Sequence, residues 1–505
     1  MYDRTDTAPP VSLPHRPADR RRWIALAVVL TAALMDLVDV TIVNVAIPAI
    51  QRDLGATYSA VQWIAEGYVL AFALGLITGG RLGDVHGRRR LFLFGVAGFT
   101  VASALCGASA SSEMLIAARV LQGAMAALMV PQVLAIIHVT FPPAERGRVF
   151  GMYGGILGAG AIAGPILGGI LTQADLFGLG WRSIFLINVP LGVAGLALGR
   201  RYLTESTATE SRRLDPTGMA LATTGLLLLL FPLTQGHEQG WPAWGFVLMT
   251  AALPVFAGFA VHQRALSRRG GTPLVEPSLF KARSFTAGVT VELLFSTATG
   301  VFFLAWILYL QLGLGYSALR AGLTGIPFSV GVSVAAAVSV QVLVPRFGRK
   351  VIQAGVTLMT LGILGYLWEA QHFGGGLTPW QMILPLTVMG LGMGLVLAPL
   401  TDLVLSNVPH QHAGSASGVF NTVQQLAQAT GVALASVLFF ALLPDGSASR
   451  TGPSTGSRAF IEAFPVTLAW LAVLNTAALA LTFALPAQTR HPGPDHPTAR
   501  SVRSS

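Results

Sequence analysis

The sequence has little charge and almost no cysteine. Only 11% of its 505 residues are charged, whereas 53% are hydrophobic. A soluble protein cannot bury that much apolar surface, so this composition excludes an ordinary soluble domain and predicts an integral membrane protein. The single cysteine, Cys106, excludes an internal disulfide bond.

Motifs that would supply enzyme chemistry are also missing. The sequence has no Gly-x-x-x-x-Gly-Lys-Ser/Thr phosphate loop, so we expect that ATP is not the energy source. It has no Cys/His cluster at metal-binding spacing and no Gly-x-Ser-x-Gly elbow. The formal charge of +10 is divided into short clusters between apolar runs rather than gathered in one patch. We therefore predict no enzyme, no cofactor, no metal and no nucleic-acid partner.

The chain instead contains long apolar runs, each about the length that crosses a bilayer. Barrel strands would be about ten residues long with alternating polarity, so these runs predict helices. We predict fourteen transmembrane helices in an all-α fold, near residues 24–48, 61–80, 91–110, 114–137, 149–172, 182–199, 217–235, 242–263, 285–311, 321–344, 351–370, 381–404, 415–443 and 460–485.

Basic residues predict the orientation of these helices. With the N-terminus inside, 26 of the 32 Lys and Arg residues fall in inside segments and 5 in outside loops. Because Lys and Arg are retained on the cytoplasmic side, both termini are expected to be cytoplasmic. We expect a multi-pass protein of the bacterial cytoplasmic membrane.

The chain also repeats itself at an offset of about 260 residues. Gly147, Gly151 and Gly164 are spaced by 4 and 13 residues, and the same spacing recurs in the second half. Two six-span halves of this kind are the plan of a rocking transporter. The predicted divisions are a tail at 1–22, a six-helix bundle at 23–203, a linker with two inserted helices at 204–283, a second six-helix bundle at 284–485 and a disordered tail at 486–505.

Acidic residues lie inside several predicted spans. Asp36 and Asp39 are three residues apart and face one side of the first helix near the middle of the lipid. A charge there costs about 2.5–3.5 kcal/mol on insertion scales, so such acids are candidates for ion or substrate handling. Glu66 and Glu292 are further intramembrane acids, and Glu66 lies at a depth at which it could share a cavity with Asp39. The alternative is a structural ion pair inside the bundle.

The loop after the second predicted span has a specific order of glycine, acid and arginine. Residues 80–90 read GRLGDVHGRRR. This order resembles the signature loop of the major facilitator superfamily. The resemblance implies a conformational latch at Gly80, Asp84, Gly87 and Arg88 that locks the cytoplasmic face closed. The second half has Pro345 where Asp84 would lie, so the latch is expected only in the first half.

The fifth predicted span carries small residues that let two helices approach closely, with a proline that bends the helix. Its pattern resembles the antiporter signature of the same superfamily, which occurs in exporters. The pattern consists of Gly151, Gly160, Gly164, Pro165, Gly168 and Gly169.

Two further segments resemble one particular family within this superfamily. Residues 39–48, DVTIVNVAIP, and residues 181–190, WRSIFLINVP, are similar to motifs of the fourteen-span drug:proton antiporters of the EmrB/QacA type. In that family an arginine in the fourth span is tied to proton coupling, which implies this role for Arg119. A buried structural ion pair is the alternative for Arg119 as well.

These observations predict a proton-driven exporter of small amphipathic drugs or antibiotics that works by alternating access. We predict proton coupling at Asp39, Arg119 and Glu66, and substrate binding at Asp36, Glu66 and Glu292. Because the acids lie within spans, we expect cationic or weakly basic substrates. The expected partners are the drug, protons and the lipid bilayer, and the chain is expected to function as a monomer. A dedicated exporter of one natural product and a non-transporting sensor with a transporter fold are the alternatives.

Overall fold

The computed structural model describes residues 18–175, 178–207, 214–236, 241–406, 408–409, 412–441 and 453–485. These residues form helices, and no β-strand occurs among them. Most of the tail predicted at 1–22 and all of the tail predicted at 486–505 lie outside the described residues.

Seventeen α-helices are described. They are α1 Ala18–Leu54, α2 Tyr58–His86, α3 Arg88–Gly107, α4 Ser112–Thr140, α5 Pro143–Ala174, α6 Ser183–Leu186, α7 Asn188–Tyr202, α8 Pro216–Gln235, α9 Ala243–Arg268, α10 Arg283–Leu308, α11 Ala318–Thr324, α12 Ile326–Val338, α13 Val344–Phe347, α14 Lys350–Phe373, α15 Pro379–Ser406, α16 Ala413–Ala441 and α17 Pro453–Thr482. One turn of π-helix follows α10 and another follows α12.

Eleven helices in the described part of the chain are long and apolar enough to cross a membrane. The predicted count of fourteen is therefore not confirmed. The runs at 149–172, 321–344 and 415–443 correspond to α5, to α11 and α12, and to α16, which are not among the eleven. Helix α12 has only 13 residues, because its hydrogen-bond pattern changes to a π turn at Ser339–Leu343.

Polar side chains mark where several helices begin. Thr57 and Ser111 precede α2 and α4, and each hydroxyl oxygen accepts a hydrogen bond from a backbone N–H in the first turn. Asp215 caps α8 in the same way through Gly218, and it also accepts hydrogen bonds from His262 and Gln263. Burial acts to raise the pKa of Asp215, but these three hydrogen bonds outweigh it, so the pKa lies below its ordinary value.

The two halves of the chain pack their helices in corresponding ways. In the first half α2 packs on α4, α3 on α4 and α1 on α5. In the second half α12 packs on α15, α14 on α15 and α10 on α16, so each contact recurs between helices at equivalent places in the sequence repeat. Across the middle, α2 packs on α16 and α5 packs on α12. The inserted helices α8 and α9 pack on each other, and α8 also contacts α2 and α16.

Glycines allow backbones to meet at the contact between the halves. A Cβ atom on Gly80 would overlap the carbonyl oxygen of Gly414, and a Cβ atom on Gly414 would overlap that of Gly80. A Cβ atom on Gly151 of α5 would lie 2.9 Å from the carbonyl oxygen of Ala336 on α12. Only glycine permits helices to approach this closely.

The other small residues of the fifth-span pattern serve a different contact. Gly160, Gly164 and Gly168 lie against α1, where a Cβ atom on each would meet Leu37, Thr41 and Ile42 respectively. Gly169 is buried and Pro165 lies within α5. This stripe of small residues therefore holds α5 against the helix that carries Asp36 and Asp39.

A loop after the inserted pair reaches the second half. Leu274 is fully buried, and its carbonyl oxygen accepts a hydrogen bond of 2.8 Å from the hydroxyl of Ser415 on α16. The inserted pair is thus attached both to α2 and to the start of α16.

The Gly80 contact predicts a measurable difference between two Gly→Ala substitutions. Gly80→Ala forces α2 and α16 apart and should destabilise the protein by about 1–3 kcal/mol, the usual effect of overpacking. Gly258 in α9 has open space where a Cβ atom would lie, so Gly258→Ala gains the same helix propensity without a clash. Thermal unfolding of the purified proteins in detergent should give a lower midpoint for Gly80→Ala only. Equal midpoints would contradict the close contact.

Candidate functional site

The candidate site residues fall into groups between two ends of the helix bundle. We call the end where α2 passes into α3 the Asp84 end, and the end where α1 passes into α2 the Asp53 end. At the latter, Asp53 accepts hydrogen bonds from the Trp181 indole and the Arg182 guanidinium, which together lower the pKa of Asp53.

Asp39 lies at the centre of a buried polar network within the first half. Its Oδ2 atom forms an ion pair with Arg119, and its Oδ1 atom accepts hydrogen bonds from Gln122 at 2.8 Å and Asn188 at 2.9 Å. The Gln122 amide also donates to Ser103. We call these five residues the Asp39 network. All five are at most 2% exposed.

Arg119 is held on every side. Its Nε atom donates to the carbonyl oxygen of Ile64 at 3.0 Å, and its Nη1 atom donates to Gln122 Oε1 at 2.8 Å. The guanidinium carbon lies 4.3 Å from the ring centroid of Tyr68 and 5.7 Å from that of Phe185, which gives the cation aromatic contacts as well. Since an arginine cannot release its proton, this charge depends on the Asp39 carboxylate for compensation.

The sequence identified Asp39 and Arg119 as candidate site residues but gave no role to their amide partners, Gln122 and Asn188. Gln122 follows Arg119 by three residues, so both lie on one face of α4. Asn188 is a lone amide in an apolar run of the predicted sixth span. Both signals were present in the sequence, although neither reveals which carboxylate the amide contacts.

Asp36 is half-buried and lies beside the network. Its Oδ1 atom accepts a hydrogen bond of 2.5 Å from the hydroxyl of Tyr68 on α2. Because the ring of the same tyrosine stacks on Arg119, Tyr68 connects the two acids of α1. Tyr68 was not identified from the sequence as a site residue.

Glu66 points to the inserted pair of helices. Its carboxylate accepts hydrogen bonds from Gln235 of α8 at 2.6 Å and from Gln62 at 3.3 Å. Trp63 of α2 stacks on Phe231 of α8, at 6.1 Å between ring centroids, next to this contact. Glu66 is not a hydrogen-bond partner of Asp39, and the structure does not bring it into the Asp39 network.

Glu292 lies in the second half, on α10, and is fully buried. One carboxyl oxygen accepts a hydrogen bond of 2.6 Å from Ser296, whereas the other oxygen has no partner in hydrogen-bonding geometry. The Gln424 side chain of α16 faces the same carboxyl group. Glu292 is therefore in a different environment from Asp39, whose two oxygens are both occupied.

A small cavity lies between the halves, next to these groups. Its volume is about 10 Å³, which is about the space of one water molecule. It is lined by Tyr153, Gly154, Leu397, Ala398, Thr401, Phe420 and Gln424. Tyr153 lies within electrostatic range of both Asp36 and Glu292, so acids of both halves surround the same interior region.

Asp84 joins the two halves at its end of the bundle. It is fully buried, pairs with Arg88 at 2.6 Å, and accepts hydrogen bonds from the backbone N–H groups of Gly414 at 3.0 Å and Ser415 at 2.9 Å. These N–H groups belong to the first turn of α16, where a carboxylate is favoured by the helix dipole. Gly87 turns the chain between α2 and α3 with a φ of +104°, a conformation that favours glycine.

The Asp39–Arg119 pair predicts a coupled effect on stability. Asp39→Asn leaves a buried arginine without its counter-charge, a loss of about 3–5 kcal/mol for broken buried pairs. Adding Arg119→Gln removes the uncompensated cation, so the double variant should unfold at a higher temperature than Asp39→Asn alone. Thermal unfolding of the four proteins in a double-mutant cycle measures this coupling. Additive decreases would contradict a direct ion pair.

The chain is similar to known proteins over most of its length. A family model described as the Major Facilitator Superfamily matches residues 29–432. The chain is 48% identical over 447 residues to the probable actinorhodin transporter of Streptomyces coelicolor, covering 88% of this chain and 77% of that protein. It is 36% identical to the tetracenomycin C resistance and export protein of Streptomyces glaucescens, covering 89% and 83% respectively.

A solved structure has the same fold. The crystal structure of the human organic anion transporter MFSD10 (TETRAN) matches with a TM-score of 0.59 and 17% sequence identity, over 91% of this chain and 100% of that chain. The family model covers most of the residues that carry the polar groups described above. The chain is a multi-pass membrane protein that belongs to the major facilitator superfamily, whose members are transporters rather than enzymes.

Proposed function

We propose that the protein exports antibiotics or similar drugs in exchange for protons, by alternating access. The observation that carries the proton exchange is the buried Asp39–Arg119 pair, since ionisable groups inside a membrane protein commonly serve ion pathways. The direction of transport is supported by relatives whose names describe transport, resistance and export of antibiotics.

In this proposal, proton binding to Asp39 starts the movement. A proton on Asp39 removes the counter-charge of Arg119, which is then an uncompensated cation in an apolar interior. The Arg119 side chain must find other acceptors or move towards water. Because the Asp39 network joins α1, α3, α4 and α7, such a rearrangement shifts the packing of the whole first half.

The Asp84 end is closed in the structure, and we propose that this end faces the cytoplasm. Asp84 holds α16 through two backbone N–H groups, and Gly80 and Gly414 lie in close contact beside it. Opening towards the cytoplasm requires Asp84 to release the start of α16. Both termini are then cytoplasmic and the membrane is that of a bacterial cell, in agreement with the bacterial relatives.

We also propose that the chain crosses the membrane fourteen times, as two six-helix bundles at 23–203 and 284–485 with an inserted pair between them. Helices α5 and α16 have 32 and 29 residues, and α11, α12 and the following π turn together cover a comparable length. Each of these three lies at the contact between the halves. Since each half contributes one wall of the cavity, a monomer holds a complete pathway.

For the substrate, we propose small amphipathic molecules that are cationic or weakly basic. Asp36, Glu66 and Glu292 are three acids within the helices that lie outside the Asp39 network. Tyr153 and Phe420 in the cavity wall offer aromatic surface to a lipophilic cation. At about 10 Å³ the cavity admits no drug, so substrate binding requires α5 to separate from α15 and α16.

A dedicated exporter of one natural product is the second candidate. It is favoured by the relatives, because the two reported above are named for individual antibiotics, actinorhodin and tetracenomycin C.

Resistance profiles distinguish a multidrug exporter from a dedicated one. An efflux-deficient bacterial host with and without the gene should be exposed to a panel of chemically unrelated antibiotics. Protection against several unrelated cations supports the first candidate, and protection against a single compound supports the second. No protection and no reduction in accumulation for any compound would contradict both.

Asp39 should be required for transport. Asp39→Asn is expected to reduce efflux of a compound found in the panel to the level of vesicles without the protein, because the residue no longer exchanges a proton. The measurement is substrate-induced loss of a pH gradient in inverted membrane vesicles, at matched amounts of protein. Asp53→Asn is the control, since Asp53 lies on the same helix but is 48% exposed at its end. Full proton exchange in the Asp39→Asn vesicles would remove Asp39 from the mechanism.

A further inference from the structure

Asp39 and Glu292, two fully buried acids from the two halves, differ in their capacity to bind a ligand. Asp39 already accepts hydrogen bonds or an ion pair from three side chains, so it has fewer acceptor positions left for a substrate than Glu292 has. Glu292 accepts one well-formed hydrogen bond, from Ser296, and its second oxygen is buried with the Gln424 side chain nearby but outside good hydrogen-bonding geometry. A buried carboxyl oxygen in that condition is unfavourable, and a cation that pairs with the ionised form of the group would remove this cost.

The surroundings of Glu292 contain little charge. Helix α16, which packs on α10, has no ionisable residue along its whole length. Helix α15 contributes Asp402, and α17 contributes Arg458 and Glu462. The segments at the two ends of α10 contribute Lys281 and Tyr309, and α10 itself carries Arg283 at its first residue. Among the described residues none of these forms an ion pair with Glu292. From the first half, Tyr153 of α5 interacts electrostatically with Glu292.

A carboxylate without a counter-charge is unfavourable in such an interior. The neutral form of the Glu292 carboxyl group is therefore favoured over the anion while the cavity is closed, and a cation beside it would favour the anion. Glu292 thus has the two properties that an exchange site needs, namely a proton to release and a ligand position to offer.

The cavity connects this carboxyl group to the path between the halves. Gln424 faces Glu292 and also lines the cavity, and so does Tyr153. When α5 separates from α15 and α16, a molecule entering from the first half meets the two aromatic side chains of the wall and then the Gln424 and Glu292 pair. The site therefore fits a lipophilic monovalent cation, with aromatic surface for the apolar part and a carboxylate for the charge.

We propose that Glu292 is a second exchange site, separate from the Asp39 network, where a lipophilic cation displaces one proton. The O–H bond of the carboxyl group breaks, the proton leaves to water, and the carboxylate pairs with the cation. This inference rests on the proposed export function and assigns its charge selectivity to the second half. The Asp39 network then binds protons without contacting the substrate.

The test measures proton release on cation binding. Purified full-length protein in lipid nanodiscs is titrated with tetraphenylphosphonium in weak buffer, and a pH-sensitive dye reports protons. We expect about one proton released per bound cation, as for a single exchanging carboxyl. Glu292→Gln should bind the cation about tenfold or more weakly and release no proton. Glu292→Asp should restore release, which a merely structural role would not require.

Two further variants make the result specific. Glu369→Gln is the matched control, since Glu369 is another acid of the second half with a buried carboxyl oxygen, and its proton release should equal that of the unmodified protein. Asp39→Asn, which we expect to lose transport, should still release the proton on binding. Release that persists in Glu292→Gln, or that disappears in Asp39→Asn, would overturn the assignment.

Different results would overturn the role of Glu292 and the proposed export function. An unmodified protein that neither binds tetraphenylphosphonium nor releases a proton, yet shows Asp39-dependent proton exchange with another compound, overturns only the role of Glu292. Absence of any Asp39-dependent exchange overturns the proposed function, and with it the second site.

Discussion

The first half of the molecule depends on one ion pair held away from water. Arg119 remains charged in every state, so the interior must always supply it with negative partners. In the structure Asp39, Gln122 and the carbonyl oxygen of Ile64 do so together. Because these groups come from α1, α2 and α4, the charge fixes the arrangement of three helices as well as the state of one acid. Loss of the Asp39 charge would therefore also alter how these three helices pack.

The two halves contact each other through different interactions at the Asp84 end and further inside the bundle. At the Asp84 end a carboxylate binds backbone N–H groups at the start of α16. The strength of this contact therefore depends on the orientation of α16 rather than on another side chain of that helix. Further in, α5 meets α12 through Gly151 and α1 through Gly160, Gly164 and Gly168. Helix α5 thus connects α1 to the second half through close backbone contacts.

Much of this arrangement was predictable from the sequence. Spacing and composition predicted the long helices, and the family resemblance led to Asp84 and Arg88. The intramembrane location of Asp39 and the family resemblance at Arg119 marked each as a candidate for proton coupling, but the pairing between them was not predicted. The repeat of Gly151 and Gly164 at Gly418 and Gly431 foretold corresponding packing, because small residues matter only where helices approach closely.

Other features depend on contacts that a linear pattern does not contain. The depth of Glu66 alone predicted that it could share a cavity with Asp39, but the direction of its side chain brings it to Gln235, 169 residues away in the chain. The inserted pair has no counterpart in the repeat, so symmetry offers no guide to its neighbours. The incomplete hydrogen bonding of Glu292 is likewise a property of three-dimensional packing, since Ser296 is one turn away whereas Gln424 comes from another helix.

The meeting of Gly80 and Gly414 has a consequence for the speed of the cycle. Interlocked side chains must change rotamers before two surfaces separate, and each such change adds to an energy barrier. Where two glycine backbones meet, no side chain has to change its rotamer before the helices separate. At this point the contact between Gly80 and Gly414 offers little resistance to separation of the halves. The resistance comes mainly from the few directed hydrogen bonds of Asp84.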